Sequence, residues 1–376
     1  MRIAIVLNTS WNIYNFRQGL VQSLLQEGHQ IIAIAPYDKY SEKLVEMGCE
    51  YKPVKLQNKG SNPFKDLQFT WQLFKIFRET SPDIVLQFTI KPNIYGTFAA
   101  RLLNIPVVNN VCGLGTVFLR KGLTSLVAKL LYKLAFWFPE KVFFQNEEDL
   151  KLFVEKRLVD YKITDLVPGS GIDLNKFQPQ EKPTKNKEFT FLMIARLLYD
   201  KGIMEYVEAA NILKNKGIEA RFQILGAVEE DANLGVSQKI VEQWVENGII
   251  EYLGTTDDVT QYIAQADCVV LPSYREGTPR SLLEAASMAK PLIATNIAGC
   301  KQTIDHGVNG FLCEIKNSYD LAHQMEKMYK LPSEKLQAMG KASRKKVERE
   351  FDERFVIKKY LHTIAEIAQK RNIAYA

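Results

Sequence analysis

Strand-length apolar runs alternate with amphipathic stretches along this chain, and the alternation occurs twice. In the first half the runs are 3–7 (IAIVL), 31–35 (IIAIA), 83–88 (DIVLQF), 107–111 (VVNNV) and 142–145 (VFFQ). Between them, apolar residues recur at helical spacing over Gln18–Glu27, Ser41–Gly48, Phe64–Glu79, Gly96–Leu103 and Leu123–Phe138. Strands that are apolar throughout, joined by helices, require crossovers. Such crossovers are right-handed and cover a parallel sheet on both faces. The pattern then breaks at 178–188 (QPQEKPTKNKE), which is polar apart from two prolines and reads as a linker. It restarts with runs at 189–195, 220–225, 249–253, 268–272, 291–295 and 311–315, helical stretches between them, and two amphipathic helices at 333–349 and 353–370. The expectation is an α/β chain of two Rossmann-like parallel-sheet domains, 1–177 and 189–352, facing a central cleft. Ligands in such sheets bind outside the carboxyl ends of the strands.

Composition removes several other classes. A chain of 376 residues that is 46% hydrophobic and 24% charged is neither disordered, collagen-like nor a coiled coil. The net charge of +6 is too mild for a nucleic-acid binder and suits phosphorylated substrates or an anionic membrane surface. The five cysteines form no Cys-x-x-Cys pair and the four histidines are scattered, so no metal site is expected and the thiols read as buried in a reducing compartment. The chain opens on a strand rather than a secretory signal, and its longest apolar stretch is interrupted by Lys129 and Lys133. A cytoplasmic protein is expected.

The second domain carries the more informative chemistry. Its first strand ends at Arg196, and Lys201 follows at the start of a helix. Two fixed cations beside a helix N-terminus can neutralise a diphosphate without a metal. The alternative is an ordinary solvated Arg and Lys at a turn. A second cluster follows the strand ending at Pro272: a polar loop to Thr278, which can cap a helix with Pro279 in its first turn. Glu276 lies in the loop, Gly277 allows close backbone approach, and Glu284 lies farther along the helix. A hydrolase would place paired carboxylates across one bond; these two acids have different surroundings and different expected jobs.

Arg196 with Lys201, followed by Glu276-Gly277-Thr278-Pro279 and Glu284 in an E-x7-E arrangement, resembles the family-4 retaining glycosyltransferases of GT-B fold, over the whole chain and most strongly over 189–313. The resemblance implies a UDP-sugar donor held by the second domain. Arg196 and Lys201 would grip the diphosphate, Glu276 the transferred sugar and Glu284 the ribose hydroxyls. Gly277, Thr278 and Pro279 would lie against phosphates and sugar, and the loop after Leu253 against the base. No Asp-x-Asp, the metal-binding signature of the other large glycosyltransferase fold, occurs here. The implied enzyme therefore needs no metal or other cofactor beyond its co-substrate. The family's amino-domain histidine has no counterpart near VNNVCGLG, where Asn109 or Asn110 stands, which favours proton transfer to the leaving phosphate. The final helix, within 353–376, is implied to cross back to the first domain.

The acceptor is expected on the first domain. Asn8, Tyr14, Asn15 and Arg17 follow the first strand, Lys91 stands at another strand end, and Gly113 and Gly115 at a third. Arg17 suits a phosphate. A tight turn explains the glycines equally well. Residues 119–138 combine Leu123, Leu126, Val127, Leu130, Leu131 and Leu134 with Lys121, Lys129 and Lys133 and then Phe136, Trp137 and Phe138. Two readings stay open: a helix lying in an anionic membrane interface, and a core-facing helix with snorkelling lysines. NTSWNIYNFR, IKPNIYG and FQNEEDLKLF further resemble bacterial transferases that build glycans on undecaprenyl diphosphate. That implies a lipid-linked acceptor at the cytoplasmic face of the inner membrane. A soluble glycan acceptor, a sugar-nucleotide epimerase of the same fold and a non-catalytic scaffold are the alternatives.

Overall fold

Strand interiors in this chain are apolar on both sides, and the structure buries both. The computed structural model describes residues 1–57, 60, 62–114, 123–180, 188–229, 231 and 233–373. Most of the expected linker, 181–187, lies outside them. The chain divides into two units, Met1–Gly171 with Glu353–Ala376, and Ile172–Asp352.

The first unit is a seven-stranded sheet. Its strands are β1 (Arg2–Val6), β2 (Gln30–Ala35), β3 (Glu50–Pro53), β4 (Ile84–Phe88), β5 (Val107–Val111), β6 (Lys141–Phe144) and β7 (Thr164–Leu166), in the order β3-β2-β1-β4-β5-β6-β7. All pairings are parallel, with Ile3 opposite Ile31 on one side and Ile84 on the other. Ile3 and Ile5 pack with Leu20 and Leu24 of helix Ser10–Gln26 and with Val356, Tyr360 and Ile364 of helix Glu353–Arg371. Ala4 and Val6 point the other way, onto Phe69, Leu73 and Phe77 of helix Pro63–Thr80. Capping fixes the helix starts: the Thr9 side chain accepts from Asn12 N, and Asn62 accepts from Phe64 N and Lys65 N with Pro63 in the first turn. The final helix is part of this unit. The Tyr360 ring lies 4.9 Å from that of Phe143, and its hydroxyl accepts from Asn110 Nδ2 at 2.8 Å.

The second unit holds β8 (Phe189–Ile194), β9 (Ala220–Leu225), β10 (Glu251–Tyr252), β11 (Cys268–Leu271), β12 (Leu292–Thr295) and β13 (Gly310–Cys313), again all parallel, in the order β10-β9-β8-β11-β12-β13. Phe191 and Met193 pack with Tyr206 and Leu213 of helix Ile203–Asn215, and Leu192 with Leu282 and Ala286 of helix Arg280–Ser287. Ile172 and Phe177 are buried in this second core.

β3 and β7 were not expected from the sequence. Both are short, half-exposed edge segments with polar residues, so neither has an apolar run to announce it. The expected helix Leu123–Phe138 ends at Ala135, shortly before Pro139, which stands where a chain commonly leaves a helix. Strand order reverses beside the first strand of each sheet, between β1 and β4 and between β8 and β11. Those two switch points are where an open parallel sheet leaves a crevice for a ligand.

Candidate active site

At the β8/β11 switch point, β8 runs out at Ile194 and Arg196 follows, exposed. The chain then makes a single turn of 3₁₀ helix, Tyr199–Lys201, and enters helix Ile203–Asn215 through Gly202. Gly202 has φ +74°, and a Cβ there would lie 2.0 Å from the Pro272 carbonyl oxygen, so the β8 and β11 loops meet only because this residue is glycine. Hydrogen bonds lock the approach. Tyr274 N and Ser273 Oγ both donate to the Asp200 carbonyl, at 2.8 and 3.1 Å. Lys201 Nζ consequently reaches Glu276 Oε1 at 2.5 Å, an ion pair with both side chains largely buried. Arg196 and Lys201, on the connection after β8, are thus set beside the connection after β11 that carries Glu276.

The loop bearing Glu276 is held from behind. A Cβ on Gly299 would lie 2.2 Å from the Gly277 carbonyl oxygen and 2.6 Å from that of Glu276. Gln302 Nε2 donates to Thr278 Oγ1 at 2.6 Å and to the Gly277 carbonyl at 3.3 Å, and Thr295 Oγ1 donates to the Ser273 carbonyl. Thr278 was expected to cap the next helix. Instead the helix begins at Arg280 with Pro279 at its cap and no side-chain capping bond, and the Thr278 hydroxyl serves the Gln302 clamp. Gly299 and Gln302 escaped the sequence reading. A glycine just after the strand PLIAT is a signal of close approach, but the loop it approaches is set by tertiary structure alone.

Glu284 lies one turn into helix Arg280–Ser287, buried, with Arg280 Nε donating to its Oε1 at 3.1 Å. Burial pushes its pKa up, and Arg280 offsets only part of that rise. Leu253 is half-buried against the second unit's core, immediately after β10, with its amide donating to the Ile224 carbonyl at 2.9 Å.

The first-unit candidates do not converge on one point. Arg17 is buried on helix Ser10–Gln26, its guanidinium carbon 4.5 Å from the Phe88 ring centroid. Asn15 is turned to the surface, bonding the Trp11 carbonyl at 3.0 Å. Asn8 accepts from Asn12 Nδ2 at 3.4 Å, and the Tyr14 ring lies beneath Lys43. Lys91 is taken up by buried Asp66 at 2.6 Å, whose other oxygen accepts from Tyr95 at 2.9 Å, so its charge ties helix Pro63–Thr80 to the turn Pro92–Gly96. Gly113 has φ +131°; Gly115 lies outside the described residues. Asn109 and Asn110 are buried in β5 and committed to the core, Asn109 Nδ2 to Thr97 Oγ1 at 3.0 Å and Asn110 to Tyr360.

Helix Leu123–Ala135 turns part of its apolar surface outward. Its buried side chains include Ser125, Tyr132 and Ala135, whereas Leu126 (64%), Val127, Leu130 (56%), Leu134 and, beyond the helix, Trp137 (68%) are exposed. Leu126, Val127, Leu130 and Leu134 therefore face outward, while Leu131 is half-buried against the first unit's core. Lys121 and the rest of 115–122 lie outside the described residues. Helix Pro63–Thr80, which packs on the same Pro92–Gly96 turn, exposes Phe64 (85%), Leu67 and Trp71 at helical spacing, a second apolar stripe. Among the described residues no helix is long and apolar enough to cross a membrane.

Comparison with known proteins accounts for both halves. The model for "Glycosyl transferases group 1" matches residues 175–346, and that for "Glycosyl transferase 4-like" matches residues 2–146. The chain is 29% identical, over 96% of its length and 97% of the relative's, to the N,N'-diacetylbacillosaminyl-diphospho-undecaprenol α-1,3-N-acetylgalactosaminyltransferase of Campylobacter jejuni. It is 30% identical, over 67% of its length and 68% of the relative's, to the UDP-Gal:α-D-GlcNAc-diphosphoundecaprenol α-1,3-galactosyltransferase of Escherichia coli. In structure it is similar to Anabaena Alr3699/HepE in complex with UDP-glucose, with a TM-score of 0.80 at 18% identity, covering 97% of this chain and all of the other.

Proposed function

The chain belongs to the group 1, family 4-like glycosyltransferases, and from that premise we propose that it moves a hexose or N-acetylhexosamine from a UDP-sugar to an undecaprenyl-diphosphate-linked glycan, with retention and without a metal ion. The observation that carries the proposal is the Lys201–Glu276 pair beside exposed Arg196 at the β8/β11 switch point. Two cations and a carboxylate there match a donor that is anionic at its diphosphate and rich in hydroxyls at its sugar.

In this reading a diphosphate oxygen takes over Lys201 and Arg196 completes the grip, which frees Glu276 to orient a sugar hydroxyl. Glu284 accepts from the ribose, Leu253 borders the base, and the amides of Gly277, Thr278 and the following turn face the phosphates. As the bond from the anomeric carbon to the phosphate oxygen breaks, negative charge builds on the leaving oxygen and the cations stabilise it. That oxygen accepts the acceptor hydroxyl's proton as the acceptor oxygen bonds to the anomeric carbon on the same face, and UDP departs. Proton transfer to the leaving group suits a chain whose Asn109 and Asn110 are locked in the core.

The lipid-linked acceptor is supported by the two relatives, whose names specify diphospho-undecaprenol substrates. The outward leucine stripe of helix Leu123–Ala135, flanked by Lys129 and Lys133, suits an anionic membrane surface on which such an acceptor is presented. The experiment is transfer from a panel of UDP-sugars to polyprenyl-diphosphate-linked and to soluble glycans, each with and without EDTA. Transfer to the lipid-linked acceptor that persists in EDTA is the expected outcome. Transfer to soluble glycans alone removes the lipid-linked reading, conversion of UDP-GlcNAc without an acceptor identifies an epimerase, and loss in EDTA with recovery in manganese removes the metal-free mechanism.

A further inference from the structure

Arg17 poses a problem that the donor chemistry does not answer. It is 5% exposed, and among the described residues its Nε and Nη1 are enclosed without a hydrogen-bond partner. Its remaining contacts are soft: Nη2 to Cys112 Sγ at 3.7 Å and the guanidinium over the Phe88 ring. Other cations of the same unit are treated differently, with Lys91 placed on Asp66 and Lys359 on Asp165. A guanidinium taken out of water with neither carboxylate nor carbonyl costs stability, and the fold retains it.

Its position gives the cost a purpose. Phe88 is the last residue of β4 and Cys112 the first after β5, so the guanidinium lies over the carboxyl ends of β4 and β5, and β4 borders the switch point of the first sheet. The next residue, Thr89, repeats the anomaly. It is β-branched yet has φ +68°, and its hydroxyl is also enclosed with no partner among the described residues. A strained β-branched residue beside an uncompensated charge, both at the ligand-binding edge of the sheet, is an arrangement stable only when something completes it.

We propose that this corner is an oxyanion subsite for a phosphate carried by the acceptor, with Arg17 as its cation and the Thr89 hydroxyl as a further donor. Both groups can donate, and a guanidinium fork matches two phosphate oxygens at once. The Phe88 ring sets the plane of that fork without competing for its hydrogens. The source of the phosphate, a lipid diphosphate rather than a soluble one, rests on the function proposed above; the subsite itself rests on the unpaired groups.

The test uses the full chain saturated with UDP, so that the donor loops are filled, titrated calorimetrically with inorganic pyrophosphate and, separately, with polyprenyl diphosphate in detergent. Arg17→Met is expected to weaken both by about 10- to 100-fold, the loss of a hydrogen-bonded charge contact. Thr89→Gly, which removes the hydroxyl and the strain together, weakens them less. Without anion, Arg17→Met melts no lower than the wild type, because it removes a buried charge that has no partner; a purely structural arginine would leave a variant of lower melting point. Arg17→Lys, which keeps the charge and loses the fork, falls between wild type and Arg17→Met and serves if the Met variant does not fold. Unchanged pyrophosphate binding in Arg17→Met, or a lower melting point with unchanged binding, overturns the subsite even if lipid-linked transfer is found. Arg17-dependent binding of pyrophosphate with none of polyprenyl diphosphate upholds the subsite and removes the lipid-linked reading.

Discussion

Replacing Gly299 with alanine tests whether the Glu276 loop is held in place by what stands behind it. The added Cβ would lie 2.2 Å from the Gly277 carbonyl oxygen and 2.6 Å from that of Glu276. The helix side cannot easily yield, because Cys300 next door is fully buried and Gln302 is bonded to the same loop. Restoring an ordinary carbon–oxygen contact then moves the loop by about 1 Å, and a displacement of that size at a reacting centre costs about 100-fold in rate, or about 2.7 kcal/mol of transition-state stabilisation. The Lys201–Glu276 pair is the first contact to loosen. The assay is kcat/KM for transfer from the donor identified in the UDP-sugar panel, with the melting temperature measured in parallel. A Gly299→Ala enzyme that retains its melting temperature and transfers within about threefold of wild type, short of the ~100-fold expected from misplacement, would falsify the claim that this packing positions Glu276.

Three further outcomes are expected. Lys201→Ala and Arg196→Ala each lose about 2–4 kcal/mol of transition-state stabilisation, the range for one preorganised donor, read as kcat/KM; full activity in either variant removes that residue from the diphosphate grip. The pKa of Glu284 is raised by burial in the free protein, and ribose hydroxyls would favour its charged form and draw that pKa back down. UDP binding should therefore release protons, and affinity should climb as pH rises through the free-protein pKa and level off above it. Calorimetry in buffers of different ionisation enthalpy reads this directly, and a Glu284→Gln variant with the same proton release and slope refutes the assignment. Finally, Leu126→Glu and Trp137→Glu should abolish flotation with anionic liposomes while leaving the melting temperature near wild type, since both side chains are already exposed; unchanged flotation excludes the leucine stripe as the membrane contact.

The fold was legible because its signals are local. IAIVL and FTFLMIA declare strands buried on both faces, and the stretches between them declare helices, so two parallel sheets follow from chain order and handedness. β3 and β7 were not legible, being edge strands with little to bury. In the candidate site, Arg196, Lys201, Glu276 and Glu284 stood out only through the resemblance of their combined pattern to a glycosyltransferase family; taken singly, solvated charges at turns and a helix-favourable acid explain them as well. The face of helix Leu123–Ala135 that turns inward was beyond the sequence, because Tyr132 and Ala135 satisfy the same periodicity as Leu130 and Leu134.

Tertiary structure alone decided which partner each polar group received. Lys91 and Arg17 are both cations that the fold brings to the carboxyl ends of strands of the first sheet. Lys91 is neutralised by Asp66, which a helix 25 residues earlier in the chain brings within 2.6 Å, and Arg17 is left with a ring and a thiol. The Thr278 hydroxyl, placed to cap a helix, instead meets Gln302 from the far side of the loop. Pattern along a chain reports which groups seek burial or hydrogen bonds; who meets whom depends on distances that exist only once the sheets have closed their layers.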